Sequence, residues 1–229
     1  MTLRPEEWAA LMLSLKVSGV AMLLSLPVAI YVAWVLARRE FPGKALLSAV
    51  VHLPLILPPV VTGYLLLLTF GRNGAVGGFL ESFGIVLAFR WTGAALAAGI
   101  MGFPLMVRAI RLSIEAVDPR LEEAAATLGA GRVTRFYSVT LPLIAPGILA
   151  GAVLGFAKAM GEFGATITFV ANIPGQTQTL PSAIYAFLQV PGGESSAVRL
   201  VVLSLIVALG AVLISEWLAR KVAQRIGQG

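Results

Sequence analysis

Cysteine is absent from this chain of 229 residues, and histidine occurs once, as His52. Disulfides, thiolate metal sites and cysteine nucleophiles are thereby excluded, and a histidine-built metal centre has too few ligands. Charge is also scarce. Only 12% of residues are Asp, Glu, Lys or Arg, against about 25% in soluble domains. Apolar residues make up 58%. Such a composition belongs to an integral membrane protein, and several spans leave no room for a separate soluble catalytic domain. A continuous basic stripe is missing as well. The net charge of +6 comes from residues that flank apolar runs, so nucleic acid is not an expected partner. There is no basic leader either: Arg4 is followed by Glu6 and Glu7, and the first apolar run does not read as a cleaved signal. A phosphate-binding loop is lacking, since Gly43-Lys44 continues into Ala45 without the upstream glycine. No catalytic residue, metal site or cofactor is expected.

What is present is a series of apolar runs. A crossing needs about 20 such residues. Five stretches qualify, at residues 17–37 (with a start as early as Trp8), 45–70, 91–107, 139–157 and 197–218. The third is short and could borrow apolar residues before Arg90. The runs 163–173 and 180–190 are too short alone and read as re-entrant or interfacial segments, or as parts of a sixth crossing. Basic residues set the orientation. Eleven of the 17, including Arg38, Arg39, Lys44, Arg132, Arg135 and Lys221, fall on one side if the five spans alternate; six fall on or near the other. The richer side is cytoplasmic, so the N-terminus is outside and the C-terminus inside. Trp34 and Trp217 would mark the inner interface, and Trp8 and Trp91 the outer one.

The insert at about residues 108–140 is then cytoplasmic. Asp118 can cap a helix whose first position, Pro119, needs no N–H partner. Gly129 can take the left-handed conformation that stops it. A second short helix covers about 132–139 and enters the fourth span at Leu141-Pro142. On pattern alone this insert is equally a solvated loop helix.

Inside the spans, Pro27, Pro54, Pro58, Pro59 and Pro104 kink or break helices. They read either as ordinary irregularity or as flexibility beside a pathway. Gly147, Gly151 and Gly155 stack on one face and read as packing, within the subunit or at a dimer axis. Lys158 and Glu162 are four apart at the outer end of the fourth span, as a functional pair or a plain interfacial one. His52 reads as a buried, hydrogen-bonded residue. Arg199 can snorkel from the start of the fifth span.

Glu123-Ala124-Ala125, three residues, Gly129, nine residues, then Val139-Thr140-Leu141-Pro142 resembles the Glu-Ala-Ala coupling motif of ABC-importer permeases, with Val139 where the family usually has Ile. Further segments resemble the molybdate permeases of bacteria. They include Arg39–Lys44, His52-Leu53-Pro54 through Pro58-Pro59-Val60-Val61, Phe103–Arg108, Gly161-Glu162-Phe163-Gly164-Ala165-Thr166, Ile173–Thr177 and Pro191–Ser195. The Gly161–Thr166 segment has a related form in sulfate permeases and narrows only to oxyanions.

The resemblance implies an all-α type I importer fold, residues 1–229 forming one permease domain. It implies a homodimer in the bilayer, two copies of an ABC ATPase subunit and a periplasmic molybdate-binding protein docking on loops 71–90 and 172–196. It assigns coupling to Glu123, Ala124, Ala125, Gly129, Leu141 and Pro142. Pathway or gate candidates are Pro58, Pro59, Lys158, Gly161, Glu162, Phe163 and Gly164. A sulfate, thiosulfate or tungstate permease is the nearest rival. An ATP-independent channel or secondary transporter is the rival of another class; it leaves the Glu-Ala-Ala insert unexplained and would usually carry inverted repeats. A membrane enzyme has too few reactive groups.

Overall fold

A computed structural model of the chain describes residues 4–226, all helix and connecting turns. The elements are α1 (Pro5–Arg38), α2 (Lys44–Ile56), α3 (Pro59–Phe70), α4 (Ala75–Glu81), α5 (Trp91–Glu115), α6 (Pro119–Thr127), α7 (Arg132–Arg135), a π-helical turn (Phe136–Thr140), α8 (Leu141–Met160), α9 (Gly164–Val170), α10 (Leu180–Leu188) and α11 (Glu194–Ile226).

The centre is α5, because its small residues let neighbours approach. Gly93, Ala94, Ala95, Ala97, Ala98, Gly99 and Gly102 leave little beyond backbone on its surface, the device by which helices associate without a hydrophobic gradient between them. Helix α1 lies on one side. Its early residues Val17 and Ala21 meet Ala94–Ala98, and its late residues Ala29, Ala33 and Leu36 meet Met106, Ile110 and Ile114. The two helices therefore run parallel. Helix α8 packs antiparallel on the same helix, with Ile144 among the late α5 residues and Ala159 among the early ones. Helix α11 joins through Leu200 beside Ala10 and Leu11 and so runs with α1.

Parallel α1 and α5 require a return between them. The pair α2 and α3 supplies it, with a bend of 114°. Val51 of α2 packs with the late half of α1, and Leu66 of α3 packs with the early half of α5. The second span is thus a broken crossing, bent much more than a kink. Leu57 is the last residue bonded to α2, through the Leu53 carbonyl. Pro58 and Pro59 follow in succession and cannot donate, so the ladder stops. Four continuous helices and this broken one give five crossings by length and composition. Helices α9 and α10, of 7 and 9 residues, are too short to cross, so no sixth crossing exists among the described residues.

Several boundaries differ from the sequence expectation. Span one begins at Pro5 and is 34 residues long. Span three extends past residue 107 to Glu115 instead of borrowing before Arg90; its last turns bury Ile110 and Ile114 in the core and pair Arg111 with Glu115 at 2.7 Å. The second helix of the insert and span four are one continuous run from Arg132 to Met160. The wide turn at 136–140, where Leu141 donates to the Phe136 carbonyl, precedes Pro142, which has no N–H for a regular bond.

Three tryptophans are stacked by cations. Lys16 lies 3.7 Å from the Trp91 ring, Arg39 5.1 Å from Trp34 and Lys221 4.7 Å from Trp217. The first pair marks one face and the other two the opposite face. Trp8 stands eight residues before Lys16 on α1, about 12 Å beyond the Trp91 level, so those two tryptophans do not share one belt. Arg199 does not snorkel. Its guanidinium binds the fully buried Glu7 at 2.6 Å and Ser196 at 2.8 Å, clasping α11 to α1. The side chains of Arg220 and Arg225, two of the eleven basic residues on the richer side, lie outside the described ones.

Candidate functional site

The predicted pathway residues come together at one place. At the break of span two, Pro59 begins α3. At the end of α8, Gly161 to Phe163 break the chain again before α9. The two breaks touch. A Cβ on Gly164 would stand 2.7 Å from the Pro59 side chain. One turn on, a Cβ on Gly63 would stand 2.5 Å from the Ala165 carbonyl and 2.9 Å from Thr168. Helices α3 and α9 thus run side by side, in parallel, at backbone contact. Gly63 was not singled out from the sequence; its partner lies 102 positions away, and no local pattern reports it.

Lys158 and Glu162 sit at this junction. Lys158 Nζ donates to Glu162 Oε2 at 3.0 Å, and the Ala165 amide donates to Glu162 Oε1 at 3.0 Å. Glu162 therefore closes the first turn of α9 and holds the ammonium at once. Its side chain is 1% exposed and that of Lys158 31%. Depth follows from packing register. A Cβ on Gly102 would meet the Gly155 carbonyl at 3.0 Å, so Lys158 stands near the level of Gly99, about eight residues or ~12 Å inside Trp91. The pair is not a surface pair at the outer interface, because α8 ends inside the bundle. The lysine charge at the junction is thus matched by a buried carboxylate.

The three glycines of α8 face α5 of the same chain. A Cβ at Gly147 would strike Ser113, one at Gly151 would stand 3.0 Å from Ile110, and one at Gly155 would stand 2.6 Å from Met106. His52 Nδ1 is 2.8 Å from the Ser48 carbonyl, so the ring is hydrogen-bonded as expected, but it is half-buried rather than buried.

At the other face, α6 forms as its residues require. Asp118 accepts from the Arg120 amide at 2.9 Å. Gly129 has φ +83°, and the amides of Gly129 and Ala130 donate to the carbonyls of Ala126 and Ala125, the pairing of a glycine-stopped helix. Glu123, Ala124 and Gly129 are exposed and Ala125 half-buried. Beside them Leu121 is 48% and Leu128 89% exposed. Leu141 is not on this surface. Leu141 packs into the core of α1, α5 and α8.

Glu122, overlooked in the sequence, is the tether. Thr140 Oγ1 donates to its carboxylate at 2.9 Å, and Arg38 reaches the same oxygen at 3.5 Å. The signal was its neighbour: two glutamates in sequence on a helix point about 100° apart, so if Glu123 faces outward Glu122 turns inward. Thr140 lies in the second half of the motif and Glu122 beside the first, so this bond joins the two halves.

Residues 25–227 match the family described as the binding-protein-dependent transport system inner membrane component. The chain belongs to that permease family. It is 60% identical, over all of both chains, to the molybdenum transport system permease protein ModB of Escherichia coli K12. It is 38% identical to the sulfate transport system permease protein CysT of Salmonella typhimurium, over 81% of this chain and 67% of that one. The fold matches a bacterial alginate ABC transporter solved in complex with its alginate-pentasaccharide-bound periplasmic protein, with a TM-score of 0.75 and 20% identity over 96% of this chain and 80% of that one. The permease is all-helical with the type I importer fold, as expected.

Proposed function

We propose that this permease is the channel subunit of a molybdate importer, moving the oxyanion across the inner membrane by alternating access. The observation that carries the coupling is α6. It presents Glu123, Ala124, Leu121 and Leu128 outward, exposed among the described residues, while Glu122 anchors its inner side to α1 and to the base of α8. A helix so arranged transmits force. Two copies of a separate ATPase subunit would grip its exposed side, and closure on ATP would push Glu122 against Arg38 and Thr140. The continuous run from Arg132 to Met160 carries that push to the junction at Glu162, where α9 and α3 meet. Hydrolysis resets it. The permease works as a homodimer with its pathway between subunits, its N-terminus outside and its C-terminus cytoplasmic. A periplasmic molybdate-binding protein docks on loops 71–90 and 172–196.

Molybdate is favoured over sulfate by the nearer relative, at 60% against 38% identity. The neutralised Lys158 favours selection by the binding protein, since a pathway without a strong anion site releases its cargo.

Uptake of labelled molybdate at nanomolar concentration tests this, in cells lacking the chain and with it restored, with excess sulfate or tungstate as competitor. Restored uptake that requires ATP and resists sulfate is expected. Uptake abolished by sulfate would move the chain to the sulfate branch. Orientation has its own test, since the chain has no cysteine of its own. Gly131→Cys should react with an impermeant maleimide only from the cytoplasmic side, and Phe83→Cys only from the periplasmic side.

A further inference from the structure

Between the late half of α1 and the run from α7 into the π turn lies an open cleft of about 590 Å³, within the range of small-ligand sites. Its lining is graded along α1. Pro27, Ile30 and Tyr31 come first, Trp34 follows, and Arg39 closes the helix end. Across the cleft Arg132 and Arg135 add two more guanidiniums, with Tyr137 beside them. Arg39 is already over Trp34. The Nε of Arg135 is buried without a hydrogen-bond partner. Glu122 also reaches the cleft, but its carboxylate is engaged by Arg38 and Thr140. Three cations therefore face one committed anion. On the membrane side, α1 continues the apolar end with Leu24, Val28 and Tyr31, each more than half exposed and spaced as one helical strip.

We propose that this cleft binds an anionic phospholipid of the cytoplasmic leaflet. Its phosphate lies among Arg39, Arg132 and Arg135, its glycerol region against Trp34 and Tyr137, and one acyl chain along Leu24, Val28 and Tyr31. The order of the lining decides the occupant. Apolar strip, aromatic band and cationic rim succeed one another along one helix as acyl chain, ester zone and phosphate do in a leaflet. A free oxyanion would use the rim alone and leave the strip uncovered. An acidic protein would stay above the lipid and not reach Leu24. The site lies beside the tether of α6, so the lipid would brace the element through which the permease is driven. This rests on the orientation proposed above, which the cysteine labelling scores independently of lipid binding.

The complex with its ATPase subunit, purified in detergent, is titrated with phosphatidylglycerol and with phosphatidylcholine and read by native mass spectrometry. Retained phosphatidylglycerol adducts are expected, favoured roughly tenfold or more over phosphatidylcholine. They should be lost in the double variant R132Q/R135Q, kept in R132K/R135K, and kept in R111Q, whose arginine pairs with Glu115 outside the cleft. Equal binding of the two lipids, or adducts unchanged in R132Q/R135Q, overturns the proposal. So does displacement of the adducts by millimolar inorganic phosphate, which would make the cleft a free-anion site. Loss of subunit pairing in R132Q/R135Q at an unchanged melting temperature would make it a contact between copies of the chain, and overturns it too.

Discussion

The junction and α6 hold their charges in opposite ways. At the junction every charge is answered within the chain: Glu162 holds Lys158 and closes α9, and the break of span two is filled by the break after α8. On α6 the inner carboxylate is answered, the outer one has no partner among the described residues, and Leu128 stands 89% exposed. The difference separates two kinds of work. In the proposed import cycle, a region that rearranges without trapping its cargo would satisfy itself, whereas a region gripped by the ATPase subunit would leave contacts for that protein to make.

Substitutions at the gripped surface should cost most. Glu123→Arg or Gly129→Asp is expected to lower ATP-driven molybdate uptake by about 100-fold and to abolish co-purification of the ATPase subunit, since interface anchors are worth about 2–4 kcal/mol. Retained uptake in both would end the assignment of α6 as the coupling helix. Next comes Glu162→Gln, which leaves an ammonium at membrane depth with a weaker partner and a poorer cap. Because Lys158 is partly open to solvent, we expect about 1–3 kcal/mol of destabilisation, read as a lower melting temperature in detergent, and uptake down by about tenfold. Lys158→Ala should be milder, at about threefold, since no anion site is lost. A larger loss than that of Glu123→Arg would reverse the comparison and place a true anion site at the junction. Glu122→Gln should weaken the tether by about 1 kcal/mol and appear as more ATP hydrolysed per molybdate moved. The smallest effect belongs to Val139→Ile, below about twofold in uptake, because it adds one methylene at a half-buried position.

Much of this was readable in the linear chain because its causes are local. Asp118, Pro119 and Gly129 bound α6 through capping and backbone conformation, which depend on a few neighbouring residues. The number of crossings follows from apolar length, and the stop at Pro58-Pro59 from a missing donor. Partnership was not readable, since it depends on residues far apart in sequence. Only the tertiary structure set Gly63 against Ala165, Gly155 against Met106, Glu122 against Thr140 and Glu7 against Arg199. It also carried Lys158 from an assumed helix end at the interface to the level of Gly99, because depth is decided by where a helix packs, and packing register is a property of two surfaces at once.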